Sequence, residues 1–265
     1  MNNRKTIYAF ITIFFAVLFF IWDNYSVEDF GSEATIINLE TADLLPNSTT
    51  GQIIRHTNYT LSYSEKHEQA EWVAYHLKAE HIVATNFKRP YFEKDPKVTT
   101  ESAHYKNYSK SGYDKGHLCP AGDRKFSKVA HDETFLTSNI SPQEHQFNAG
   151  IWNRLEQKTR YWATKYKNLY VITGGILENA SKTIGTEKVT VPNYFYKIIL
   201  DFQEPEIKAI AFLIPHEDSE KALYTFVTSI DNIEEITGID FFPEIEDSLE
   251  NKLEATTNYS SWNFR

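Results

Sequence analysis

Tyr113-Asp114-Lys115-Gly116-His117-Leu118-Cys119-Pro120-Ala121-Gly122-Asp123 is the stretch on which the reading of this 265-residue chain turns. Gly112, Gly116 and Gly122 allow close backbone turns around it. His117 stands between Gly116 and the run Leu118-Cys119-Pro120, and Asp114 precedes it by three residues. About thirty residues on comes a second stretch, Ser138-Asn139-Ile140-Ser141-Pro142-Gln143 and then Phe147-Asn148-Ala149-Gly150-Ile151-Trp152-Asn153-Arg154-Leu155-Glu156. A lone Asp-x-Gly-His says little about function. Two motifs in this order and at this spacing are far more specific.

Asp-Lys-Gly-His, the following Leu-x-Pro-Ala-x-Asp and the second stretch together resemble the signature of the DNA/RNA non-specific endonucleases, the endonuclease G-like group with a ββα-metal active site. The resemblance runs from about Tyr59 to Pro243 and takes in Gly174-Gly175-Ile176, Val191-Pro192, Phe195-Tyr196-Lys197 and Thr237 to Phe242 as structural segments. It implies an α+β fold with a mostly antiparallel sheet core, helices and a ββα-metal motif. It also implies Mg²⁺-dependent hydrolysis of DNA and RNA with little sequence preference, Mn²⁺ or another divalent cation serving as well. His117 is then the general base and Asn148, 31 residues later, the metal ligand. Arg89 matches the upstream arginine that grips phosphate, and Glu156 a residue that holds metal-bound water. Lys115 and Arg124 are expected to bind substrate, with Asp114 and Asn139 in support. A homodimer is compatible with the resemblance. Two departures stand out: lysine at 115, where the family most often has arginine, and Cys119 in place of a more usual alanine. Lysine keeps the charge and loses the bidentate fork.

The chemistry suits those residue types. Phosphodiester hydrolysis needs an activated water, charge relief on the phosphoryl oxygens and help for the departing 3′ oxygen. A neutral histidine, with an ordinary pKa of about 6.5, can take a proton from water near neutral pH. Magnesium prefers oxygen, keeps several waters and takes one or two protein ligands, so a single asparagine amide oxygen is adequate. Other readings stand beside these. Glu156 also suits a helix-face ion pair, Arg89 a structural one, and Trp152 the core. Asp114 suits fixing the loop better than chemistry. A thiol at Cys119 beside His117 suggests a nucleophile, but neighbouring side chains on an extended loop point apart. His104, His131 and His145 have no compact zinc spacing. A binding module without turnover, and a small-molecule phosphodiesterase, are the competing functions.

The formal net charge of −9 argues against coating nucleic acid through bulk charge. Charge is uneven, however. Between His104 and Lys128 six basic residues (Lys106, Lys110, Lys115, Arg124, Lys125, Lys128) face only Asp114 and Asp123, while acid concentrates from Asp231 to Glu254. The single cysteine, Cys119, excludes an intramolecular disulfide framework and a Cys-rich zinc site.

In chain order, residues 1–25 read as a signal anchor or a signal peptide. Ile7 to Trp22 is apolar apart from Thr12 and follows Arg4 and Lys5. Its sixteen residues make about 24 Å of helix. Trp22 and Tyr25 suit an interfacial belt, and no small-x-small cleavage site stands close by. The rest is expected outside a membrane: anchored, or secreted or periplasmic if the segment is cleaved. Residues 26–50 read as a linker, 51–250 as the nuclease domain and 251–265 as a tail. Within the domain, Tyr59–Tyr63 and Trp72–Leu77 predict a hairpin, Phe135–Thr137 a short strand, and Gln143–Lys165 a helix carrying Asn148, Trp152 and Glu156 on one face. Leu169–Thr173 predicts a buried strand stopped by Gly174-Gly175. Tyr194–Leu200 and Ala209–Ile214 predict two more, and Asp231–Glu235 a short capped helix.

Overall fold

The computed structural model describes residues 44–203 and 206–264. The apolar run at Ile7–Trp22 and most of the expected linker lie outside the described residues. Among the described residues no helix is long and apolar enough to cross a membrane.

Runs rich in β-branched and aromatic residues, separated by polar turns, become the strands. In chain order they are β1 (Ile53–Arg55), β2 (Thr60–Ser64), β3 (Gln69–Lys78), β4 (Asp114–His117), β5 (Ile140–Gln143), β6 (Asn168–Gly175), β7 (Thr183–Ile184), β8 (Val189–Thr190), β9 (Tyr194–Asp201), β10 (Lys208–Pro215) and β11 (Val227–Thr228). Seven form one sheet in the order β1-β2-β3-β6-β9-β10-β11, antiparallel throughout. Among the described residues β4 pairs only with β5, and β7 only with β8. The helices are α1 (Lys128–Glu133), α2 (Asn153–Tyr166), α3 (Ile230–Thr237) and α4 (Asp247–Glu254). Ser127 and Ser229 cap α1 and α3 by accepting from the amides of Ala130 and Asn232. Gly238 ends α3 at φ 70°, where a side chain would be strained. This is the expected α+β architecture with a mostly antiparallel core.

The central strands are buried on both faces, so each alternate set of side chains needs its own cover. Val73, Tyr75 and Leu77 of β3, Leu169 and Val171 of β6, and Phe195 and Ile199 of β9 form one face. They pack in one cluster with Leu118, Phe147, Ile151, Trp152, Leu155 and Trp162. Those covering residues come from the two sequence stretches quoted above and from α2, so the core anchors the candidate site to the sheet. The alternate set includes Tyr196, whose ring meets Phe241 edge-on at 5.7 Å. Each fully buried aromatic contributes roughly 1.5–3 kcal/mol of transfer free energy.

Several local expectations are corrected. Phe135–Thr137 is not a strand of a sheet. Leu136 makes an isolated parallel bridge with Glu93, and Thr137–Asn139 closes into a 3₁₀ turn. Gln143 ends a strand rather than starting a helix. The helix after it is broken at Gly150, with φ −94° and ψ −109°. β6 runs through Gly174-Gly175 instead of stopping there. Those glycines are required by space: a Cβ on Gly174 would lie 2.2 Å from the Glu71 carbonyl oxygen, and one on Gly175 would lie 2.5 Å from Pro192 Cγ. Residues 44–50 are not free tether. Leu44 is buried, Trp72 Nε1 donates to the Asn47 carbonyl at 3.0 Å, and the Thr49 amide donates to Glu71 at 2.9 Å. The expected tail is likewise part of the fold, since Trp262 is 3% exposed and its ring meets Trp162 edge-on at 4.9 Å.

Candidate active site

β4 and β5 pair with Asp114 opposite Gln143, Lys115 opposite Pro142, Gly116 opposite Ser141 and His117 opposite Ile140. Gly116 is compelled here, because a Cβ would sit 2.1 Å from the Gln143 side chain. Pro142 is tolerated because β5 pairs only with β4, leaving its other edge free of ladder bonds. β5 hands the chain to a helical turn at His145–Phe147, a wide turn at Asn148–Trp152, and then α2. Two strands and a helix thus enclose both sequence motifs. The break at Gly150 lets Asn148 sit apart from the regular spiral of α2. Widened turns of this kind concentrate at functional positions.

His117 lies among aromatic rings. Phe135 meets it edge-on at 4.9 Å between centroids, and Phe92 lies at 5.7 Å. Its Nε2 is buried with no hydrogen-bond partner among the described residues. Burial, reinforced by the charges of Arg89 and His131, pushes its pKa down to about 3. The ring is therefore neutral and carries a free lone pair. Arg89 stacks its guanidinium over Phe92 and Phe135 at 5.4 and 5.3 Å, the same two rings that flank His117. Lys115 holds its ammonium 5.4 Å from the Phe92 ring centroid and 5.8 Å from that of Tyr108. Arg89, Lys115 and His117 are thus gathered around one aromatic wall.

Asn148 is fixed by Asp114. Its Nδ2 donates to Asp114 Oδ2 at 3.0 Å, and His145 Nδ1 lies 2.9 Å from the same oxygen. A carboxylate only accepts, so it orients the amide with its nitrogen toward Asp114 and leaves Oδ1 facing away, free of protein donors among the described residues. Burial would raise the Asp114 pKa, but the bonds from Asn148 and His145 outweigh it and hold the group below its ordinary value. An oriented, unengaged amide oxygen beside a carboxylate is the donor set a hard divalent cation takes.

Glu156 faces a buried charged cluster. Its Oε2 lies 3.8 Å from Arg160 Nη1, which donates to Asp123 Oδ1 at 2.7 Å, and Tyr75 Oη donates to Asp123 Oδ2 at 2.9 Å. Lys197 projects from β9 on the same face as Phe195 and Ile199. Its ammonium donates to Thr173 at 2.6 Å and lies 4.9 Å from the Trp152 ring. Burial raises the Glu156 pKa to about 7 against the pull of Lys197, while Lys197 is lowered by the same desolvation. Of the two readings of Glu156, the helix-face ion pair is present, at the long distance of 3.8 Å to Arg160. Lys197 is the member that sequence reading passed over. Its signal was a lysine inside the apolar run Tyr194 to Leu200.

The remaining expected residues divide. Asn139 is fully buried and clasps the chain after His117: its Oδ1 accepts from the Cys119 amide at 2.8 Å and its Nδ2 donates to the Cys119 and Thr134 carbonyls. Arg124, expected at the substrate, points inward instead. It is 1% exposed, donates to the His76 carbonyl at 2.9 Å and to Cys119 Sγ at 3.4 Å, and stacks over Tyr75. Its local sequence is basic, but the 3₁₀ turn Ala121–Arg124 aims it into the interior. Cys119 is buried, and burial pushes its thiol up to about 11. His104, His131 and His145 are engaged separately, by the Lys106 amide, Asp132 and Asp114.

Comparison with known proteins agrees with this geometry. A profile of the DNA/RNA non-specific endonuclease family matches residues 41–248. The chain is 36% identical over 208 residues to mitochondrial nuclease EXOG of Danio rerio, covering 72% of this chain and 61% of that one. It is 31% identical over 226 residues to nuclease C1 of Cunninghamella echinulata var. echinulata, covering 79% and 90%. The chain spans only about 60% of the length of the EXOG relatives. A crystal structure of the EndoG/EndoGI complex matches with a TM-score of 0.68 and 29% identity, over 74% of this chain and 87% of the matched one. With profile, fold and the strand–strand–helix setting of both motifs in accord, the chain belongs to the DNA/RNA non-specific endonuclease family.

Proposed function

We propose that the protein is a metal-dependent endonuclease that hydrolyses phosphodiester bonds of DNA and RNA with little sequence preference. The observation that carries this reading is the pairing, across one strand–strand–helix unit, of a neutral unpartnered histidine nitrogen with an asparagine amide oriented oxygen-outward. His117 accepts a proton from the attacking water. Asn148 would hold the cation through Oδ1, with Asp114 keeping that amide from rotating. Glu156 would position water there. Mg²⁺ fits the donor set, Mn²⁺ or another divalent cation serving as well; bound there, the ion relieves charge on the phosphoryl oxygens and on the departing 3′ oxygen. Arg89 and Lys115 grip the scissile phosphate from the aromatic wall. Arg124 has no part in this set. These groups address phosphate rather than base edges, so they position the backbone without reading sequence.

The alternative of a module that binds without turnover is disfavoured by the buried unpaired nitrogen of His117, which a phosphate-binding surface does not need. Digestion of plasmid DNA and of RNA, with Mg²⁺ and after chelation, tests the proposal. Both substrates are expected to be cut at many positions only with the metal, and more slowly as salt rises through about 50–200 mM. Binding without cleavage under every metal condition would contradict it.

A further inference from the structure

The acidic stretch found in the sequence between Asp231 and Glu254 has no part in the nuclease chemistry, yet the fold gathers it. Asp231, Glu234 and Glu254 each offer an oxygen within 4.8 Å of the others, and so do Asp240, Glu250 and Glu254. Glu254 belongs to both groups. Among the described residues none of these five carboxylates forms an ion pair with a lysine, arginine or histidine. Two have single neutral donors: the Phe241 amide to Glu234 Oε1 at 2.8 Å, and Asn47 Nδ2 to Asp240 Oδ2 at 3.1 Å.

Exposed acids alone would be an ordinary solvated surface. Glu254 is different. It is 7% exposed, and its Oε1 is shut away from water with no hydrogen-bond partner among the described residues. A carboxylate in that state forfeits several kcal/mol of hydration. Nothing among the described residues restores it, and the charges bearing on it are those of Glu234, Glu250, Asp231 and Asp240, all of one sign. Burial and those charges push Glu254 up to about 8. The remedies open to such a group are a proton or a cation. Oxygens bound to one Ca²⁺ at 2.3–2.6 Å lie at most about 5 Å apart, which matches the spread of each group. Carboxylate-only ligands at loose geometry suit Ca²⁺, whereas Mg²⁺ demands a near-ideal octahedron.

We propose that this acidic cluster binds Ca²⁺, apart from the Asn148 site, with Glu254 as the ligand common to both groups, fastening α4 to α3 and to the Asp240 turn. Because Asn47 bonds Asp240 through both its amide nitrogen and its side chain, the same ion steadies the entry of the chain into the domain. Affinity in the range of extracellular modules, on the order of 10⁻⁴–10⁻³ M, is expected.

Thermal melts of the full chain in EDTA and across a CaCl₂ series test this without reading nuclease activity. At about a hundredfold excess over Kd the wild type is expected to melt about 5 °C higher or more. Asn148→Ala keeps that shift. Glu254→Gln no longer responds to Ca²⁺. If Glu254→Gln fails to fold, Glu250→Gln, on a half-exposed residue, should raise the Ca²⁺ midpoint about tenfold or more. No Ca²⁺ shift in the wild type, a shift abolished by Asn148→Ala, or a shift retained in folded Glu254→Gln would each overturn the site. So would an unchanged Ca²⁺ midpoint in Glu250→Gln.

Discussion

As the proposed base, His117 works only while its ring is neutral, and burial of the ring against Phe92 and Phe135 favours that form. With its pKa pushed down to about 3, lowering the pH from neutral does not protonate it until well into the acid range. Glu156 moves the other way: raised to about 7 by burial, it takes up a proton just below neutrality. The pH profile of kcat/KM under fixed metal should therefore show any acid limb near pH 7 as that of Glu156. In Glu156→Gln that limb should vanish, leaving a lower but flat rate down to about pH 5. A limb centred at the ordinary histidine value of about 6.5 that survives in Glu156→Gln would show that His117 is solvated during turnover. The motifs themselves were legible at this scale. His117, Asn148 and Asp114 stood in motifs whose order and spacing are specific. The direction of Arg124 was not, because a basic run says nothing about which member its turn sends inward.

At the scale of elements, the β4–β5 ribbon and the helical turn after it carry His117 and Asn148, the proposed base and metal ligand, on one frame. The ribbon's register depends on Gly116, where the Gln143 side chain fills the space a Cβ would need. Gly116→Ala is expected to cost about 1–3 kcal/mol by overpacking and to lower activity beyond that loss, because the ribbon must part to admit the methyl. Urea unfolding, together with cleavage rates measured on the folded fraction, checks this. Unchanged stability and rate would mean that Gln143 swings aside freely. Long strands were readable from runs such as Leu169–Thr173, whose apolar side chains fill both faces. The break at Gly150 was not, since Asn148, Trp152 and Glu156 keep helical spacing across it. β5 was also missed: it is four residues with a proline, paired on one side, and nothing in its composition separates it from a loop.

Across the whole molecule the described chain wraps one sheet, and its end closes the cover over α2. Trp162 Nε1 donates to the Asn263 carbonyl at 2.8 Å, Tyr166 Oη donates to the Ser261 carbonyl at 3.2 Å, and Trp262 packs between them. Polar composition made residues 251–265 read as a tail, because the few aromatic residues there find partners only in three dimensions. Trp262→Ala is expected to cost about 3–5 kcal/mol, the loss typical of removing a buried tryptophan. Equilibrium denaturation checks it, and a cost below about 1 kcal/mol would show the tail to be dispensable.

If His117 takes the proton from water while Asn148 holds the cation and Arg89 and Lys115 grip the phosphate, removing the imidazole stops hydrolysis without releasing the substrate. Single-turnover cleavage of a labelled DNA by His117→Ala, with binding measured by anisotropy on the same samples, addresses it directly. The account predicts a rate at least about a hundredfold lower with binding close to that of the wild type. Cleavage within a few-fold of the wild type by the folded variant would contradict it.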